Sequence, residues 1–358
     1  MKARNSSSGT QRKSPVDIIK LLTGWGKILS GHHPLLSIEI TRECPLTCPG
    51  CYAYGDSHLG GGTTLRQLSD FRGEELVHRV LELVNRCRPM QVSFVGGEPL
   101  IRHRELSRIL PELSKRGIHS LVVTSAVIAF PREWNNIPRV RVAISVDGLR
   151  PEHDARRKPA TYDRILENIQ SRRADISLVV TNSMTERRDY LDEYLDFWTS
   201  QPEIQRVWLS LYTPQRGEQS AERLTESART RLFEELPRLK AKYPALILPG
   251  SSIKAFAAPP QTPSECTFTR ISAAYAADLR SRVTPCFYGG NPDCSQCGCA
   301  VSVAAHWLHA QKIPHAFGLR AGHVIEASLK VSDWIVAMRN SRTKPHGARA
   351  EASRSKAA

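Results

Sequence analysis

The sequence predicts an α/β chain, a partial (β/α)6 TIM-like barrel with a small C-terminal Cys-rich metal-binding extension. Three observations predict it. Short Val/Ile/Leu-rich runs alternate with longer stretches of helical periodicity between residues 36 and 213. Polar or glycine-bearing segments stand at the ends of those runs. Eight of the nine cysteines fall in two clusters, Cys44/Cys48/Cys51 and Cys266/Cys286/Cys294/Cys297/Cys299.

Six strands are expected, at 36–41, 91–97, 120–126, 140–148, 176–182 and 206–212. Each is almost continuously apolar, as strands covered on both faces are. Helices are expected between them at 71–87, 104–117, 161–173 and 191–201, and a further one at 224–243. In the first of these, Leu76, Val80, Leu83 and Val84 recur at helical spacing, and Gly117 stands where the second helix should end. Repeated β-then-α order argues for a parallel sheet with right-handed crossovers. A closed eight-fold barrel would need two more units. Residues 244–266 are rich in Pro and Ser and read as a linker.

Parallel α/β folds carry their reactive groups at the C-terminal ends of the strands. Those positions hold the segment ITRECPLTCPGCYAYGD (40–56), GGEP (96–99), Thr124 to Ala126, SVDG (145–148), Thr181 with Asn182, and Tyr212.

The net charge of +15 invites a nucleic-acid reading, but its distribution weakens it. Residues 1–14 hold Lys2, Arg4, Arg12 and Lys13 without an acid, and residues 339–358 hold six basic residues against Glu351. Nine of the fifteen charges thus sit in two polar tails, which define no groove, so no specific nucleic-acid partner is expected. No run of 18 apolar residues appears, and no secretory signal is read at the start. Clustered cysteines outside an even disulfide framework indicate metal ligation in a reducing compartment, hence a cytoplasmic protein. Cys87 stands alone and reads as a structural thiol. His153, His306 and His309 receive no role.

Soft thiolates select zinc, copper(I) or iron–sulfur clusters. A structural zinc ion wants four ligands in a closed tetrahedron. Cys44, Cys48 and Cys51, in C-x3-C-x2-C spacing with Tyr52 after the last, supply three. That suits a cubane cluster with one iron left open.

These residues resemble the radical S-adenosylmethionine (radical SAM) superfamily. The cysteine motif with its aromatic is similar to Cys44, Cys48, Cys51 and Tyr52, and the GGEP motif to Gly96, Gly97, Glu98 and Pro99. The resemblance covers roughly residues 36–213 and implies a domain layout. Residues 1–35 form a basic tail with an amphipathic helix, 36–250 the barrel, 251–322 a Cys-rich auxiliary-cluster region, and 323–358 a helix with a basic disordered tail. It implies a 4Fe–4S cluster on the three thiolates, its fourth iron chelated by the amino and carboxylate groups of S-adenosylmethionine (SAM). It implies reductive cleavage of SAM to a 5′-deoxyadenosyl radical that abstracts hydrogen from an unactivated carbon, with an electron donor such as flavodoxin or ferredoxin. Gly96 and Gly97 would let the backbone approach the SAM ammonium, with Glu98 capping that turn. Ser145 and Asp147 would lie near the ribose hydroxyls, Ser125 and Asn182 near the carboxylate or ribose, and Tyr52 near the cluster and adenine.

The second cluster, Cys266, Cys286, Cys294, Cys297 and Cys299, reads by itself as a zinc knuckle. By resemblance to the SPASM and twitch extensions it implies an auxiliary 4Fe–4S cluster, although the C-x2-C-G-C run departs from the SPASM pattern. Residues 15–36 place Ile18, Leu21, Leu22, Trp25, Ile28 and Leu29 on one helical face, and 323–340 carry Trp334 in a second apolar helix. Such helices pack on a barrel or lie on a membrane surface. The membrane reading makes the expected substrate a lipid or other small molecule and places the protein at the inner face of the membrane. A peptide-modifying enzyme and a non-catalytic zinc protein are the alternatives.

Overall fold

The six β-rich runs form six neighbouring parallel strands in the computed structural model, which describes residues 18–55, 58–248, 250–312, 318 and 320–342. They are β1 (Leu35–Glu39), β2 (Gln91–Val95), β3 (His119–Thr124), β4 (Val140–Ser145), β5 (Ala174–Val180) and β6 (Ile204–Leu211). Two more strands flank them, β7 (Leu246–Ile247) beside β6 and β8 (Ser272–Tyr275) beside β1. All eight run parallel in the order β7-β6-β5-β4-β3-β2-β1-β8, and the two edges do not pair, so the barrel stays open.

The helices in chain order are α1 (Ile18–Leu29), α2 (Gly73–Cys87), α3 (His103–Lys115), α4 (Arg150–Arg156), α5 (Tyr162–Asn168), α6 (Tyr190–Ser200), α7 (Glu226–Lys242), α8 (Gly250–Ala257), α9 (Thr267–Ile271), α10 (Ala300–Ala310) and α11 (Ala321–Arg342). Helix α2 shows why they form where they do. Glu74 and Glu75 meet the positive end of the helix dipole, and Leu76, Val77, Val80, Leu83 and Val84 bury one stripe on the sheet. Each such side chain contributes about 2 kcal/mol of apolar burial. Arg88, in left-handed conformation, ends the helix.

Period-two alternation gives the sheet its two faces. Ile38, Val92, Phe94, Val122, Ile176 and Leu178 face the helices and are almost fully buried. Ser37, Ser93, Leu121, Val123, Ser177 and Val179 face the barrel interior, where a large cavity lies. The near-continuous apolar runs therefore conceal alternate small or polar positions that keep the interior hollow.

The stretch 244–266, expected as a linker, contains β7 and α8. Within the Cys-rich extension, β8 continues the barrel sheet along β1. A two-residue strand and a four-residue strand are too short for any periodicity to show. The basic tails expected over 1–14 and beyond residue 342 lie outside the described residues. No helix among the described residues is long and apolar enough to cross a membrane.

Candidate active site

The cavity at the C-terminal ends of the strands has a volume of about 570 Å³, within the usual range for a small-molecule site. Cys44, Cys48, Cys51 and Tyr52 line one end of it, and Gly96, Gly97, Glu98, Thr124, Ser125 and Ser145 line the wall beside them. Motifs from four separate strand ends thus converge.

The cysteine loop is held at its entry and its exit. At the entry, Asp70 accepts hydrogen bonds from Thr41 Oγ1 (2.7 Å), the Arg42 backbone N–H (3.2 Å) and Arg102 Nη2 (2.9 Å). Buried Arg102 also pairs with Glu43 at 3.1 Å. At the exit, Tyr54 donates its hydroxyl to Arg42 O at 2.9 Å. Beyond it the buried His58 places Nε2 2.6 Å from Glu39 Oε1 and Nδ1 3.0 Å from Tyr288 O. The Tyr52 ring packs on His58, Phe287 and Tyr288, with centroids 5.8, 6.2 and 5.5 Å away. The first cysteine loop and the segment after Cys286 are therefore one packed unit.

Gly96 and Gly97 have a structural reason that their sequence context hides. A Cβ on Gly96 would lie 2.3 Å from Glu39 Cβ, and one on Gly97 2.1 Å from Glu43 O. Both residues hold positive φ. They let the end of β2 press against the start of the cysteine loop while still lining the cavity. Glu98 is buried and fully engaged, accepting from Leu100 N (3.0 Å), Thr124 Oγ1 (2.5 Å), Ser125 N (2.9 Å) and Ser125 Oγ (2.5 Å). It ties β2 to β3, and Pro99 behind it opens a short 3-10 turn outside the cavity lining.

Two further candidates lie outside the cavity lining. Asp147 is fully buried and outside the cavity lining. It pairs with Arg156 and Arg157 and accepts from Val179 N at 3.2 Å. Burial alone would raise its pKa, but the guanidinium groups of Arg157 and Arg156 outweigh that and hold it below the usual carboxylate range. Asn182 also misses the cavity, because its amide donates to Glu186 (3.1 Å) and accepts from Thr225 N (3.2 Å). What Asp147 brings to the site is the pair Arg156 and Arg157, both on the cavity wall. Sequence reasoning missed them, as it missed Glu39, His58, Asp70, Arg102 and the Tyr212–Glu218 hydrogen bond at 2.5 Å. In a chain with 50 Lys and Arg, two adjacent arginines carry no spacing signal. His153 is a core residue, its Nδ1 accepting from Asp147 N at 3.2 Å and its Nε2 2.8 Å from Thr161 Oγ1. Burial first, then Arg157, pushes its pKa down to about 4.

The second cysteine group lies behind Tyr288. Cys266, Cys286, Cys294 and Cys297 line a small separate cavity with Thr213, Tyr288 and Ser302. Cys299 stands next to them but caps α10, its Sγ accepting from Ser302 N at 3.4 Å. The Cys-Gly-Cys run has a local cause. Gly298 N donates to Thr213 Oγ1 (2.9 Å), Leu211 N donates to Gly298 O (2.8 Å), and a Cβ at Gly298 would lie 2.2 Å from Leu211 O.

The donor chemistry fits iron–sulfur clusters. A structural zinc ion wants four ligands on one centre, whereas a cubane binds each thiolate to a different iron, so three cysteines suit a cluster with one iron left open. Burial, followed by neighbouring thiols, pushes Cys286 up to about 12. In Cys44 burial and the nearby Glu98 outweigh a backbone hydrogen bond and raise it to about 11. Such thiols are inert nucleophiles and give up their protons to a metal.

Residues 38–196 match the family model of the radical SAM superfamily. An uncharacterised Methanocaldococcus jannaschii protein, MJ0907, is 23% identical over 225 residues, which are 59% of this chain and 73% of that protein. PqqA peptide cyclase of Rhodopseudomonas palustris is 33% identical over 91 residues, 25% of this chain and 22% of the cyclase. Streptococcus suis SuiB bound to precursor peptide SuiA shares the fold at TM-score 0.53 and 14% identity, covering 80% of this chain and 68% of SuiB. In the SAM-bound SuiB structure the chain spans 54% of the longer protein, at TM-score 0.44 and 15% identity. Residues 38–196 thus carry the similarity to the radical SAM superfamily, and Cys44, Cys48, Cys51 and the GGEP segment lie within them.

Proposed function

We propose that this enzyme takes hydrogen from an unactivated carbon of an apolar small molecule or lipid. One observation carries the reading. The cavity that ends on Cys44, Cys48 and Cys51 is walled along its length by Leu35, Leu121, Val123, Val179, Phe268 and Phe287. Cys44, Cys48 and Cys51 would hold the cluster, and SAM would lie along Gly96, Gly97, Ser125 and Ser145. The bound cofactors supply a 5′-deoxyadenosyl radical.

The chain's own residues then have three tasks. Glu98, locked by Thr124 and Ser125, fixes the wall where the methionyl end of SAM would lie. Arg156 and Arg157, kept charged by Asp147, offer anion-binding groups. The apolar wall keeps water from the reacting carbon and aligns it. Cys266, Cys286, Cys294 and Cys297 would supply the donors for an auxiliary cluster, with Cys299 as the spare thiol, and a flavodoxin or ferredoxin would supply electrons. A cytoplasmic location peripheral to the inner face of a membrane belongs to this reading.

A second reading, modification of a peptide, is favoured by the similarity to PqqA peptide cyclase and to SuiB bound to precursor peptide SuiA. The two readings separate by extraction. Native mass spectrometry of purified protein, followed by organic extraction, should show a co-purified alkyl compound, and adding it back should raise 5′-deoxyadenosine release. A co-purified peptide that raises release instead favours the second reading and sinks the first.

A further inference from the structure

We infer that α1, α10 and α11 form a docking face for an anionic lipid bilayer. Among the described residues six large apolar side chains are exposed: Trp25, Val301, Leu308, Val331, Trp334 and Val336. Every one of them lies on these three helices. The helices pack as a group, α11 touching both α1 and α10, and Trp25 Nε1 donates to Ser328 Oγ of α11. Exposed apolar side chains scattered singly need no explanation, but six confined to one helical group mark an interaction surface.

Charge selects the occupant. Residues 1–14, which lead toward α1, hold four basic residues and no acid. Residues 339–358, which end and follow α11, hold six basic residues and one acid. Helices α1 and α10 contain no acid, and in α11 Glu326 is taken up by Arg270, leaving Asp333 beside Lys330. Three helices with two exposed tryptophans, joined in sequence to strongly basic segments, fit the headgroup layer of an anionic membrane. A second copy fits poorly, because two copies of a +15 chain repel. No helix among the described residues is long and apolar enough to cross, and the docking proposed is to the bilayer surface.

Val301 links this face to the chemistry. It is 48% exposed on α10 and also lines the large cavity. A membrane-derived substrate would therefore enter past Val301, a clause that rests on the lipid reading above, whereas docking itself does not.

The test is sedimentation of the full reconstituted protein with vesicles of phosphatidylcholine containing about one-third phosphatidylglycerol. Wild type should bind these vesicles, bind pure phosphatidylcholine at least ~10-fold more weakly, and lose binding in high salt. The exposed double variant Val331→Ser/Trp334→Ser should bind ~10-fold more weakly while its SAM cleavage without added substrate stays at the wild-type rate. Equal binding to neutral and anionic vesicles, wild-type binding by the double variant, or a solution dimer that the double variant abolishes would overturn the inference. Vesicle binding by a protein that never yields 5′-deoxyadenosine would leave docking standing and remove the enzymatic reading.

Discussion

Replacing His58 with Ala should damage both cysteine sites at once. The imidazole faces an acceptor at each ring nitrogen, Glu39 Oε1 at 2.6 Å and Tyr288 O at 3.0 Å. The pKa of His58 lies above the ordinary value, since the hydrogen bond and charge of Glu39 overcome the opposing burial, while burial in turn raises the Glu39 carboxyl. Glu39 is 3% exposed and its Oε2 has no hydrogen-bond partner. Removing the ring strands a buried carboxylate, which costs about 3–5 kcal/mol. At roughly 2–4 °C per kcal/mol, the melting temperature of the reconstituted protein should fall by about 10 °C. Iron should fall in both sites, since Tyr52 loses a ring packed on it and the Tyr288 carbonyl loses its hydrogen-bond partner. The double variant Glu39→Gln/His58→Ala removes the stranded charge and should recover part of the loss. A His58→Ala protein that melts within about 2 °C of wild type with full iron would refute this reasoning.

Gly97→Ala would set a Cβ 2.1 Å from Glu43 O, so this variant should express with a displaced cysteine loop and little barrel-site iron. In Asp147→Ala, Arg156 and Arg157 lose their shared carboxylate, and a thermal scan should show a loss of about 3–5 kcal/mol. Acid should destabilise the fold in two stages. The folded pKa of His153 is depressed to about 4, so the unfolded chain takes up its proton first, and about 3 kcal/mol disappears between pH 6.5 and 4. Asp147, also depressed, then withdraws its contribution as pH falls below its unfolded value, and His153→Gln should flatten only the first stage of a melting-temperature profile. Cys299→Ser should retain the auxiliary iron that Cys294→Ser loses, because Cys294 lines the small cavity and Cys299 caps α10.

The barrel was legible because its strands carry nearly continuous runs of apolar residues and its helices a clear stripe, as in Leu76 to Val84. The cysteine loop and GGEP were legible because their chemistry needs fixed residue types at short spacing. Strands β7 and β8 were not, being too short to show a period and belonging to the sheet only through pairing with β6 and β1. Asp147, expected near the ribose hydroxyls, is buried against Arg156 and Arg157, nine and ten residues on, and those arginines line the cavity in its place. His58, Asp70 and Arg102 were invisible, since each acts through a partner more than fifteen residues distant.

Anaerobic reconstitution with iron and sulfide, then dithionite and SAM, tests the central claim most directly. Wild type should release 5′-deoxyadenosine and Cys48→Ala should release none, while a Cys294→Ala/Cys297→Ala variant should lose iron from the second site alone. A wild-type protein that takes up only zinc and never cleaves SAM would contradict the account.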